Sequence, residues 1–202
     1  MKLRKSEVKF DEEYHKYFLK GKELSGITRI LSKHIFAGKY KNIPEYILQR
    51  AAEIGKYIHR DCELADKGIE PKTEEGKSYL KLKEFYDLNI AECEYIVTDN
   101  EYFASPIDKV FEFCKNEVDL GDIKTTSELD LKYLSWQLSI YAFLFELQNP
   151  YITVRKLYGI WLKGKRAKLV EVNRIDPRII RELLLCEIEG RAFIYPLEFI
   201  NK

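Results

Sequence analysis

Asp108, Asp122 and Lys124 are the residues whose types and spacing could do chemistry together. Side chains alternate faces along a strand, so Asp122 and Lys124 project to one side and Ile123 to the other. If residues 107–113 pair with residues 118–125 as a hairpin, Asp108 near the start of the first strand lies opposite the end of the second. Two carboxylates and an ammonium then converge on one patch. Oxygen donors of that kind suit a hard cation such as Mg²⁺ or Mn²⁺, with the backbone carbonyl of Ile123 as a further ligand. The neighbouring lysine can stabilise an anionic transition state or orient a water.

The acidic-x-Lys pattern alone carries little information in a chain that is 33% charged, and it recurs at Glu7-Lys9, Glu70-Lys72, Glu75-Lys77 and Asp130-Lys132. Context selects Asp122, which ends a strand whose partner carries an upstream Asp and precedes Thr125-Thr126-Ser127 and a long helix. On these residues alone, a metal site and a solvated salt-bridge pair on a sheet edge are both open. Two helical pairings bear on the choice. Gln137 and Tyr141 are spaced i,i+4 and share a face, and the same rule puts Gly55, His59 and Glu63 on one face of an earlier helix. Taken singly, His59, Gln137 and Tyr141 each also fit an ordinary packing role.

The elements that must position these residues follow from periodicity. Val8 and Phe10, then Tyr14 to Leu19 and a Lys20-Gly21-Lys22 turn, predict an N-terminal β-hairpin. Ile27, Ile30 and Leu31 fit a short helix. Residues 45–67 have helical spacing through Ile47, Leu48, Ala51, Ile54, Ile58 and Cys62, and residues 75–88 through Tyr79, Leu82, Phe85 and Tyr86. The middle changes period: residues 92–97, 101–104, 107–113 and 118–125 read as strands, with Ser105-Pro106 as a turn. A helix over 127–147, two strands over 154–162 and 167–172, and a helix over 177–189 complete the pattern. The spacing predicts one α/β or α+β domain over 1–202, with the hairpin at 8–25, a core at 45–172 and a C-terminal helix and tail at 177–202.

The chain has 202 residues and 46% apolar content, enough to bury a core without disulfides or a structural metal. Lys+Arg total 34 against 33 Asp+Glu, which excludes a histone-like polycation but leaves room for a local basic groove. Cys62, Cys93, Cys114 and Cys186 form no CxxC pair and read as separate small core residues. The N-terminus has no apolar segment behind its basic residues, and no apolar run reaches membrane-spanning length, so a cytoplasmic protein with no membrane association is expected.

In combination these segments resemble the PD-(D/E)XK nuclease superfamily, and within it the RecB-like and phage exonuclease branch. The resemblance rests on Gly55-x-x-x-His59-x-x-x-Glu63 on a helix, Asp108 on a strand, Gly121-Asp122-Ile123-Lys124-Thr125-Thr126, and Gln137-x-x-x-Tyr141 on the next helix. The run from His15 to Thr28 is similar to the opening hairpin of phage-type members, so the likeness spans roughly residues 8–172. Ser105 stands where the family often has Gly three residues before the strand Asp. The resemblance implies a restriction-endonuclease-like core, a central mixed sheet flanked by helices, and hydrolysis of DNA phosphodiester bonds with one or two Mg²⁺ or Mn²⁺ ions. It implies that Asp108, Asp122 and the Ile123 carbonyl bind metal, that His59 lies at the same or a second metal position, and that Lys124 positions or activates the attacking water. Gln137 and Tyr141 would fix Lys124 or contact a phosphate, and Glu63 would give support. With only Cys186 beyond residue 172, no iron–sulfur cluster is expected. Glu92 or Glu94 is a further candidate carboxylate, and the sequence does not choose between them.

A nucleic-acid partner needs positive charge beside this acidic centre. Lys39, Lys41, Arg50, Lys56 and Arg60 precede or share the His59 helix, while Lys163, Lys165, Arg166 and Lys168 form a later turn that more often would be merely solvated. Tyr40 and Tyr57 could stack on unpaired bases. The expectation is a metal-dependent DNA exonuclease of phage or mobile-element recombination or repair, acting in the cytoplasm, or in a host's cytoplasm if phage-encoded. A single-strand annealing protein and further copies of the chain are candidate partners. The alternatives are a catalytically inactive nucleic-acid-binding homologue and a structure-specific endonuclease.

Overall fold

The computed structural model describes residues 1–195; the last seven positions of the expected C-terminal tail, 196–202, lie outside the described residues. The N-terminal segment forms β1 (Lys9–Asp11), β2 (Lys16–Leu19) and β3 (Lys22–Gly26). Then come α1 (Ile27–His34), α2 (Glu45–Asp66) and α3 (Glu74–Phe85). The middle is β4 (Ile90–Thr98), β5 (Phe103–Cys114) and β6 (Glu117–Lys124), and the chain continues through α4 (Leu131–Gln148), β7 (Thr153–Lys163), β8 (Arg166–Val172) and α5 (Pro177–Glu189). This is the expected mixed α/β architecture, a central mixed sheet flanked by helices with strands at its N-terminus. Among the described residues no helix is long and apolar enough to cross a membrane.

The eight strands run in the order β1-β2-β3-β5-β6-β7-β8, with β4 also paired to β5. The pairs β3–β5 and β6–β7 are parallel and the others antiparallel. β4 takes one edge of β5 from Ile90↔Phe111 to Thr98↔Ala104. The other edge is shared: β3 pairs only at Phe103 and Ala104, and β6 begins at Lys109↔Gly121. Among the described residues, 105–108 therefore have no ladder on that side, and the sheet opens there. The expected turn at Ser105-Pro106 is instead the middle of one continuous strand. Pro106 falls in the opening, where it interrupts no pairing to β3 or β6.

Strand alternation splits the apolar residues between two cores. Val110, Leu120, Leu157 and Val172 pack with α1, α4 and α5, while Phe111, Ile123, Ile160 and Leu162 pack with Ile58 and Cys62 of α2 and Tyr79 and Leu82 of α3. Two glycines allow close approach on these faces. A Cβ on Gly159 would lie 2.8 Å from Leu134 Cδ1 of α4, and one on Gly121 would lie 2.7 Å from Phe111 Cε2. Side-chain caps fix the starts of α3, α4 and α5. Thr73 Oγ1 accepts from Gly76 N at 2.9 Å, Asp130 Oδ1 from Tyr133 N at 2.8 Å, and Asp176 caps α5 with Pro177 in the first turn. Asp130 is why α4 starts at Leu131 and not at residue 127.

Other departures from periodicity are informative. Only Ile58, Asp61, Cys62 and Ala65 of α2 are buried, so the apolar positions Ile47, Ala51 and Ile54 face solvent. α3 ends at Phe85, which is 81% exposed beside exposed Tyr86; both were expected on its buried face. Cys62 and Cys186 are buried as expected, but Cys114 is exposed and Cys93 half-buried. A buried polar centre also went unread. Lys109 Nζ, 1% exposed, sits 2.7 Å from Asp66 Oδ2, and Asp66 further accepts from Lys83 Nζ at 2.7 Å and Tyr79 Oη at 2.9 Å. Asp61, also buried, accepts from Lys72 N, Thr73 N and Thr73 Oγ1 and ties the end of α2 to the start of α3.

Candidate active site

The opening beside residues 105–108 is the floor of a 970 Å³ cleft lined by, among others, Gly55, Lys56, His59, Glu94, Asp108, Asp122, Lys124, Gln137 and Tyr141. Four elements deliver these side chains. β5 and β6 carry Asp108 and Asp122 one position beyond the Lys109↔Gly121 pair, where the two strands part. Asp108 Oδ2 accepts the Ile123 backbone N–H at 2.6 Å, so the carboxylate fills the place of a ladder carbonyl. α4 lies against β7 at Gly159, which is paired with Asp122, and this approach sets Gln137 and Tyr141 over the floor. α2 reaches across the opening and places His59 Nδ1 3.4 Å from Asp108 Oδ2.

Asp122 and Lys124 share the cleft as the alternation requires. Lys124 Nζ forms a 2.5 Å ion pair with the buried Asp122 Oδ2. Burial pushes the Asp122 carboxyl up to about 6, with Asp108 adding to the rise and Lys124 opposing it. Asp108 is held down at about 2: burial works against its charge, and His59, Lys124 and the Ile123 N–H outweigh it. Burial disfavours the charged forms of His59 and Lys124, yet the same carboxylates raise both above their ordinary values. Lys124 is therefore an ammonium in this cleft.

The structure selects Glu94 over Glu92. One ligand atom each from His59, Glu94 and Asp108 lie within 4.8 Å of one another, whereas Glu92 does not line the cleft and lies 3.6 Å from Lys5 Nζ. Glu94 has φ 49, a left-handed conformation rare for a non-glycine residue within a strand. The side chain keeps solvent contact at the cleft mouth, while the surrounding protein and Asp108 push its carboxyl up to about 8. This distortion has no sequence signal.

Gln137 Nε2 donates to Tyr141 Oη at 2.8 Å, and Ser105 Oγ donates to the same oxygen at 3.3 Å. Ser105, expected in a turn and at a place where the resembled family often has glycine, thus fixes Tyr141. Gln137 Oε1 is buried and has no hydrogen-bond partner among the described residues. Burial raises the Tyr141 phenol well above its ordinary value, so it is a neutral hydroxyl.

The remaining sequence candidates separate. Lys56 lines the cleft and makes no salt bridge among the described residues. Arg60 also lines it, but its guanidinium is 2.6 Å from Glu63, and Glu63 is further bound by Lys67 at 2.5 Å. Glu63 is thereby committed to Arg60 and Lys67. Lys39 is bound to Asp130 at 2.6 Å and lies over the Tyr133 ring. Lys41 and Arg50 are exposed around the start of α2 and do not line the cleft. Neither do Lys163, Lys165, Arg166 and Lys168, in or beside the β7–β8 turn.

The donor set fits a divalent cation. Carboxylate oxygens with one imidazole suit Mn²⁺ or Mg²⁺, and burial, with the Asp108 charge adding to it, keeps Asp122 and Glu94 raised.

No family model matches the chain, and no curated protein matches it. Among solved structures, the chain is similar to one described as "Crystal structure of SSO0001", at 16% identity and a TM-score of 0.49, covering 86% of this chain and 78% of that one.

Proposed function

We propose that the protein is a metal-dependent nuclease that hydrolyses DNA phosphodiester bonds, acting as an exonuclease in the cytoplasm in phage or mobile-element recombination or repair. The observation that carries the reading is the convergence of Asp108, Asp122, Lys124 and His59 on one cleft where β5 and β6 part. Asp108, Asp122, His59 and Glu94 would hold one or two Mg²⁺ or Mn²⁺ ions, with the Ile123 carbonyl as a further donor. A bound ion of this kind supplies Lewis-acid polarisation of a phosphoryl oxygen and a more acidic water.

The chain's own residues divide the rest. Lys124, held as an ammonium beside Asp122, stabilises negative charge building on the phosphate and orients the attacking water; it is not the base. His59, drawn toward Asp108, orients that carboxylate. Tyr141, neutral and fixed by Gln137 and Ser105, offers a hydroxyl proton from the cleft wall, and the Gln137 carbonyl offers an acceptor.

The test is incubation of linear, nicked and closed circular DNA with Mg²⁺, Mn²⁺ or EDTA, comparing the wild type with Lys124→Ala and Asp122→Asn. Degradation of linear DNA that needs metal and is lost in both variants is expected. Cleavage of the closed circle would oppose the exonuclease form, and equal activity in EDTA or in both variants would overturn the metal mechanism.

A further inference from the structure

The first half of α2 stands away from the fold. From Glu45 to Tyr57 no residue is buried, and Tyr46 is 71% and Tyr57 56% exposed. Tyr46, Arg50 and Tyr57 fall at i, i+4 and i+11, so an aromatic, a cation and an aromatic make one stripe along the helix. The stripe leads into the cleft, because Tyr57 lines it together with Lys56 and His59.

The facing wall is also aromatic. Phe10 and Tyr17 of β1 and β2 stack with centroids 4.9 Å apart and planes 20° from parallel, and His15 meets the Phe10 edge at 5.2 Å. His15 is exposed in a left-handed turn residue with φ 51, which directs it to the same cleft. Partial desolvation of the ring by its neighbours and the Lys56 charge together lower the His15 imidazole, so the two walls are near enough to act on each other. The cleft itself is poor in available cations. Five carboxylates line it against three Lys or Arg side chains, and two of those three are held in ion pairs within the cleft.

A duplex is bound chiefly through its phosphates, which this cleft serves badly. An unpaired strand is bound in large part by stacking its bases on aromatic rings, with a few cations tracking the backbone. We propose that the cleft selects an unpaired nucleic-acid strand, passed between the exposed half of α2 and the β1–β2 turn, with Tyr57 and His15 as stacking faces and Lys56 and Arg50 as phosphate contacts. This rests on the nuclease reading for the fate of the strand, but not for its binding.

The test is fluorescence anisotropy in EDTA, where no cleavage occurs, with a labelled single strand of about 20 nucleotides, enough to span such a site, and the matching blunt duplex. Single strand is expected to bind at least about tenfold tighter than duplex, and Tyr57→Ala and His15→Ala are each expected to weaken it about tenfold, the effect of losing one stacking ring. Tyr57→Phe retains the ring and is expected to retain the affinity. Tyr57 and His15 are exposed, so neither alanine variant threatens the fold. Equal affinity for the two substrates, or an unchanged single-strand affinity in both alanine variants, would overturn the proposal. So would a shift from oligomer to monomer in Tyr46→Ser with oligonucleotide binding intact, because the stripe would then join copies of the chain. Single-strand preference with no cleavage in Mg²⁺ or Mn²⁺ would uphold the clamp and reject the nuclease; metal-dependent cleavage without the preference would do the reverse.

Discussion

The Asp108 carboxylate accepts the backbone N–H of Ile123 at 2.6 Å. One side chain therefore serves the chemistry and closes the end of a ladder. Asp108→Asn keeps an acceptor oxygen for this bond and removes the charge, whereas Asp108→Ala strands a buried N–H at a cost of about 1–3 kcal/mol. Both variants are expected to lose metal-dependent activity, with the alanine variant the less stable of the two in urea. Equal stability would show that the bond contributes nothing to the fold.

Gly159 governs how α4 meets the sheet. A Cβ there would lie 2.8 Å from Leu134 Cδ1, on the strand residue paired with Asp122. Gly159→Ala is expected to cost about 1–3 kcal/mol and to reduce turnover by shifting Gln137 and Tyr141. Adding Leu134→Ala makes room for the new methyl, so the double variant is expected to recover turnover more than stability. Turnover that does not recover would show that α4 position is not the cause.

The buried Asp66–Lys109 pair gives a pH dependence with a definite sign. Burial works against the Asp66 charge, but Lys109, with Lys83 and Tyr79, holds the carboxyl below its ordinary value. The folded-state value lies below the unfolded one, so this stabilisation is full above about pH 4 and is lost as pH falls through the folded value. Lys109→Met is expected to cost about 3 kcal/mol at neutral pH and to move acid unfolding to higher pH. Urea denaturation at neutral pH and at about pH 3 checks this; the same loss at both would exclude the linkage.

Thiol chemistry distinguishes the four cysteines. Cys114 is exposed, and its bond to Glu117 raises the thiol above its ordinary value; Cys62 is buried and pushed up to about 12 by desolvation. A thiol reagent on the native protein, read by mass spectrometry, is expected to modify Cys114 first and Cys62 only on unfolding. Glu117→Gln is expected to speed the first reaction, since it removes the charge that disfavours the thiolate.

The sequence carried much of this because strand and helix periods are local. Residues 118–125 and 177–189 were read nearly to their ends, and alternation alone put Asp122 and Lys124 on one face. What it missed depends on partners distant in sequence. Pro106 resembled a turn, because nothing local says that β3 and β6 leave one edge of β5 free at that point. Ile47 and Ile54 fit a buried face, but among the described residues no element packs over that half of α2. Glu94 reaches the site through a positive φ, and Lys109 is buried where Asp66 of α2 packs against its face of the sheet. Neither is visible in a period.

The shared edge of β5 makes that strand a ruler. From Ala104, the last residue held by β3, to Lys109, the first held by β6, there are five residue steps, or about 17 Å at strand rise. That span fixes the separation between the aromatic turn above the cleft and the acidic floor below it, and no loop is available to absorb an error. Deleting one residue between 105 and 107 would shorten the span and exchange the two faces of the strand, presenting Lys109 where Asp108 had been. Size and charge at the opening are thus set by one count of residues, and a change in length there would alter both at once.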